Sequence, residues 1–131
     1  MKTDEDIKTD MYRFLRTSPL MEAVTGSLSK TKRPKDSTLE DVVISVKSNE
    51  NGEKQIAYVN VHVYTSGLRT DRQVEEDTTR LTVLCRICAG LFEMFRLENA
   101  RCTLNTQRVM PVDGTDEFLI NNEIKYRITN E

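Results

Sequence analysis

The 131-residue sequence has no tryptophan, one histidine, three cysteines, three prolines and five glycines. Each shortage excludes something. With one histidine, any imidazole acid–base chemistry must run through His62. Three cysteines, an odd number, and no Asn-X-Ser/Thr acceptor do not describe a secreted disulfide scaffold. No uncharged run approaches the roughly 20 apolar residues a bilayer span needs, and the acidic N-terminal stretch lacks a signal-peptide core. A Gly-X-Ser-X-Gly elbow, a phosphate-binding glycine loop, His-Glu-X-X-His and an Asp-rich metal loop are all missing. So is an excess of positive charge. Nineteen Lys and Arg face 21 Asp and Glu, for a net charge of -2, which argues against bulk attraction to nucleic acid.

What is present suffices for one core. Hydrophobic residues are 37% and charged residues 31% of the chain, with a mean hydropathy of -0.53. Size scaling buries about two-thirds of the extended surface. We read residues 1–131 as one α+β domain, with residues 1–6 fraying apart from supplying a helix start.

Ile7, Met11, Phe14 and Leu15 recur at helical spacing, and Ser18-Pro19 opens a second short helix over 20–24, or breaks a single helix at Pro19. Residues 27–39 read as a long polar loop with room for a brief edge strand. Strands follow at 42–46 and 55–65, joined across Asn51-Gly52, a strong hairpin signal. Ala57, Val59, Val61 and Val63 mark the core face of the second strand. Ile56, Tyr58, Asn60, His62 and Tyr64 mark a half-polar face turned to water or a partner. The apolar spacing from Val74 to Phe95 predicts one long helix over about 71–98, capped by Asp71 and roughly 40 Å long. A second apolar row on it, at Val83, Ile87 and Met94, calls for a second partner. A strand over 102–112 and one or two strands over 118–128, with Asn121-Asn122 as a bulge or tight turn between them, close a mostly antiparallel sheet of four to five strands, covered on one face by the helices.

Cys85-Arg86-Ile87-Cys88 lies on the apolar face inside that helix, whereas a redox pair needs the helix N-terminus. Core packing explains it better. A zinc site from Cys85, Cys88, Cys102 and His62 has suitable ligand types, but His62 falls on the strand face opposite the core valines. Glu75, Glu76 and Asp77 point about 100° apart on a helix and cannot share a substrate. Lys30, Lys32, Arg33 and Lys35, with Arg69 and Arg72 in another loop, form basic segments able to meet an acidic partner; no aromatic is interleaved for base stacking. No catalytic, metal or cofactor residue is expected.

The layout resembles the phage tail terminator and tail completion proteins, which act at the head–tail junction. The resemblance runs from about Met11 to Thr129. Leu15-Arg16-Thr17-Ser18-Pro19-Leu20 leading to Val24-Thr25-Gly26 is similar to the family's opening helix pair. Arg33-Pro34 before Val42-Val43-Ile44, the strand end Val61-His62-Val63-Tyr64, the acidic helix start Glu75-Glu76-Asp77 and the last strand Ile124-Lys125-Tyr126-Arg127-Ile128 complete it. The resemblance implies a non-enzymatic virion protein, present in the host cytoplasm during assembly. Copies would form a ring, usually of six, that caps the tail tube and presents a surface to the head. Its partners would be itself, the tail tube protein and a head-completion protein, with no membrane, specific nucleic acid or cofactor. The subunit interface would then draw on Val83, Ile87, Met94, Tyr58, His62 and Tyr64. A different class of reading is a small monomeric interaction domain that binds an acidic partner through loop 30–35.

Overall fold

The computed structural model describes residues 1–128. Its elements are α1 (Asp4–Leu15), α2 (Pro19–Ala23), β1 (Leu28–Lys30), β2 (Val42–Asn51), β3 (Gln55–Ser66), β4 (Leu68–Arg69), β5 (Val74–Glu75), α3 (Thr78–Phe92), β6 (Phe95–Leu97), β7 (Ala100–Pro111) and β8 (Glu117–Ile128). Thr129, where the resemblance ends, lies outside the described residues. Six strands form one sheet in the order β1-β2-β3-β8-β7-β6, and β4 pairs with β5 in a separate ribbon. The main sheet is antiparallel except where β1 runs parallel to β2. The α+β architecture is as the residue pattern implies, with a sixth strand added.

All three helices cover one sheet face. Ile7, Met11 and Leu15 of α1, Leu20 of α2, and Leu81, Leu84, Cys88 and Phe92 of α3 pack on the inward residues of β2, β3, β7 and β8. Strand alternation decides which residues those are: from Gln55 to Thr65, every second β3 side chain is buried. Two amides, buried Asn122 and half-buried Gln107, tie the layers together. Asn122 donates to the Val61 carbonyl, and Gln107 donates to both Asn122 Oδ1 and the Cys85 carbonyl of α3. Asn121-Asn122 therefore lies inside a continuous strand, where one amide serves the core.

The long helix is shorter than its apolar spacing suggests. It starts at Thr78 with Asp77 as N-cap, the Asp77 carboxylate accepting from the Arg80 N–H. Fifteen residues make about 22 Å, so α3 does not span the sheet. Val74 belongs to the β4–β5 ribbon, and Phe95 belongs to β6. Phe95 is drawn off the helix path by the core: it stacks on Phe14 at 4.3 Å between ring centres and lies 5.9 Å from Phe92.

The N-terminus is fastened rather than frayed. Thr3 and Asp6 form a reciprocal capping box, and the Lys2 backbone exchanges hydrogen bonds with the buried Gln55 side chain. Lys2 Nζ also pairs with Asp10. The β2–β3 hairpin turns through the three residues 52–54, with Asn51 already paired to Gln55.

Candidate interaction surface

The sheet face opposite the helices is open apart from the end where Arg33 lies on Tyr64 and where Val43 and Leu119 are buried, and its register can be read row by row. At one end lie Tyr64, Leu119 and Met110, followed by Val43, His62, Asn121 and Arg108. The middle row holds Ser45, Asn60, Glu123 and Thr106. Tyr58, Lys125 and Thr103 come next, then Ile56, Arg127, Arg101 and Arg96 at the far end.

The centre is held by two β-bulges. One extra residue enters β2 at Lys47 and one enters β7 at Asn105, and such insertions re-aim side chains and deepen the twist. Both inserted residues converge on Glu123: Lys47 Nζ reaches Oε2 at 3.0 Å and Asn105 Nδ2 reaches Oε1 at 2.9 Å. These bonds hold the Glu123 carboxyl below the usual range. Beside this network, Asn60 Oδ1 is buried without a hydrogen-bond partner among the described residues. Burial lowers the His62 pKa below its ordinary value, with the Asn121 amide acting the other way. The ring is therefore mostly neutral at pH 7, and it meets Tyr64 edge-on at 6.5 Å.

Tyr58, His62 and Tyr64 thus share the open face, while Val83 and Met94 stand on the helix side of the sheet. Val83 is 44% exposed on α3 and Met94 is 66% exposed in the turn after it. Ile87 is half-buried and packs on the core, so it does not belong to an exposed row. The structure presents two surfaces, one on each side of the sheet, rather than one composite patch.

The basic segments have a different arrangement from a free loop. Arg33 donates to Asp41 at 2.7 Å, to both Glu117 oxygens at 2.8 and 2.6 Å, and to the Leu39 carbonyl at 2.7 Å. Its guanidinium also stacks 4.3 Å from the centre of the Tyr64 ring. Arg69 pairs with the adjoining Asp116 at 2.5 Å, so both basic segments converge on the start of β8. Lys30 bonds to Thr9 and lies over the Tyr12 ring. Lys32, Lys35 and Arg72 remain exposed. Arg33 is thereby withdrawn from any partner-binding set. The acids responsible, Asp41 and Glu117, carry no spacing signal that would mark them in the sequence.

The cysteines do not converge with His62. Cys88 and Cys102 are core residues, Cys85 is half-buried, and His62 is across the sheet. Burial pushes the Cys88 and Cys102 thiols up to about 12, the reverse of an activated thiolate. Among the described residues, no group of three or more His, Cys, Asp or Glu is placed to hold a metal, and no helix is long and apolar enough to cross a membrane.

No family model and no curated protein sequence matches the chain. Among solved structures, the fold is similar to that of a chain in a structure described as the virion of a native gene transfer agent particle. The TM-score is 0.58 at 13% identity, and the likeness covers 95% of this chain and 95% of that one. At that identity the likeness is one of fold, and it extends almost end to end in both chains.

Proposed function

We propose that this chain is a non-enzymatic structural protein of a phage-like virion, acting as a tail terminator or completion protein. Copies assemble as a ring on the finished tail tube, stop its growth sterically and present a new surface to the head. The observation that carries this reading is the fold shared over 95% of both chains with a component of a virion particle. The surfaces agree with it. A ring needs two different patches that fit one another, and the molecule offers an ordered polar sheet face on one side and exposed Val83 and Met94 on the other.

The monomeric reading, with loop 30–35 grasping an acidic partner, loses support because Arg33 already holds two carboxylates of its own chain. A tube-elongation assay tests the proposal. Adding the protein to growing tubes of a tail-tube protein is expected to arrest elongation, and Val83→Asp with Met94→Asp is expected to abolish the arrest without unfolding the monomer. Tubes that lengthen at an unchanged rate with saturating native protein would refute it.

A further inference from the structure

The far end of the open face carries a charge arrangement that no described residue neutralises. Arg96 of β6 lies directly opposite Arg101 of β7, and Arg101 lies directly opposite Arg127 of β8. Three arginines therefore stand side by side across three strands, on the face away from Phe95, Ala100, Cys102, Tyr126 and Ile128. Lys125 joins them from the next row, opposite Thr103. Arg101, Thr103, Lys125 and Arg127 line a shallow depression of about 250 Å³. Among the described residues, none of the four cationic side chains has an ion-pair or hydrogen-bond partner. Like charges placed opposite one another oppose sheet formation. Elsewhere on the same face a basic side chain is balanced, at Lys47–Glu123.

We infer that this arginine row is the docking site for a carboxylate cluster on a neighbouring copy of the chain. The inference rests on the ring reading above and specifies which surfaces meet. The row is short and bounded: Ile56 follows Arg127, and Glu50 follows Ile56. A long polyanion tracking along the strands' cross-direction would run into Glu50, whereas a compact pair of carboxylates fits between the arginines. The complement lies at the other end of the molecule. β3 runs from Gln55, paired with Ile128 beside the arginine row, to Ser66, paired with Glu117. The chain then enters the β4–β5 ribbon, where Arg69 is paired with Asp116 and Arg72 adjoins Asp71, and reaches exposed Glu75 and Glu76 before α3. Twelve strand residues separate the two poles by about 36 Å. A basic pole and an acidic shoulder at opposite ends make a head-to-tail contact, the heterologous type from which rings are built.

Charge reversal tests this. Sedimentation of native protein over a concentration series is compared with Arg101→Glu/Arg127→Glu, with Glu75→Lys/Glu76→Lys, and with the two reversed proteins mixed. Native protein is expected to associate more weakly as salt rises. Each reversed protein is expected to need about tenfold more protein to associate, or more, and the mixture is expected to associate again. Circular dichroism checks folding, and Arg101→Gln/Arg127→Gln serves if the glutamate pair does not fold. Unchanged association in every variant would overturn the inference while leaving the ring reading standing. Absence of native association, both free and on tail tubes, would remove that reading and this one together. Loss of binding to a single-stranded oligonucleotide, with self-association intact, would instead assign the row to phosphates.

Discussion

Arg33→Ala separates a basic loop that is free for partners from one that clamps its own fold. The native side chain makes four hydrogen bonds, two of them a bidentate pair with Glu117. Asp41 is 1% exposed and Glu117 15% exposed as side chains. Orphaning a buried charge costs about 3–5 kcal/mol. Asp41 would keep its bonds from the Ser37 hydroxyl at 2.5 Å and the Ser27 N–H at 3.0 Å, and Glu117 can turn toward water. The expected loss is therefore about 2–3 kcal/mol. For a domain of this size, that lowers Tm by roughly 6–15 °C. Thermal unfolding followed by circular dichroism at pH 7 measures it. Asp41→Asn placed on Arg33→Ala is expected to recover about 1 kcal/mol, because the orphaned carboxylate is gone.

The pH dependence of the same pair carries a sign. Burial raises the Asp41 carboxyl, but bonds from Ser37, Arg33 and the Ser27 N–H outweigh it, so the folded pKa lies below the ordinary value of 3.8. A lowered carboxyl stabilises the fold above its unfolded pKa, and that stability is lost as pH falls toward the folded value. The native protein is thus expected to lose stability relative to Arg33→Ala below about pH 4. A Tm change of under about 2 °C for Arg33→Ala at pH 7, with no acid-side difference, would refute the clamp.

Two glycines are expected to respond in opposite directions to alanine. At Gly26 a Cβ would sit 2.4 Å from Asp41 Oδ1 and 2.6 Å from its backbone N, so Gly26→Ala should cost about 1–3 kcal/mol. At Gly90, in α3, a Cβ meets nothing within 4 Å, so Gly90→Ala should stabilise by about 0.5–1 kcal/mol; urea unfolding checks both. Thr3→Ala removes half of the α1 capping box and should cost about 1 kcal/mol, whereas no change would mean a loose N-terminus. With a thiol reagent at pH 8, Cys88 and Cys102 are expected to stay silent in the folded protein and to react in urea. Rapid modification of two thiols in the native state would contradict their burial.

The parts of the fold legible in the sequence are those where one force dominates. β3 alternates because one face is buried along its length, and Ala57, Val59, Val61 and Val63 showed it. Ser18-Pro19 marked α2 because proline suits a first helical turn, although the Ser18 hydroxyl makes no cap bond. Local spacing misled where tertiary packing decided the outcome. Val74 and Phe95 continue the helical period of Leu81, Leu84 and Cys88, yet the ribbon claims one and the aromatic contact with Phe14 claims the other. Of the candidate surface, the open-face trio Tyr58, His62 and Tyr64 was legible from alternation alone. The Arg33 clamp joins residues 84 positions apart, and the arginine row exists only once three strands are in register. Neither leaves a local trace.

The most direct measurement is electron microscopy of tail tubes mixed with the native protein. The expected images show one ring of copies, coaxial with the tube, on a single end of each tube. Bare ends at saturating protein, with the protein remaining monomeric in solution, would contradict the account.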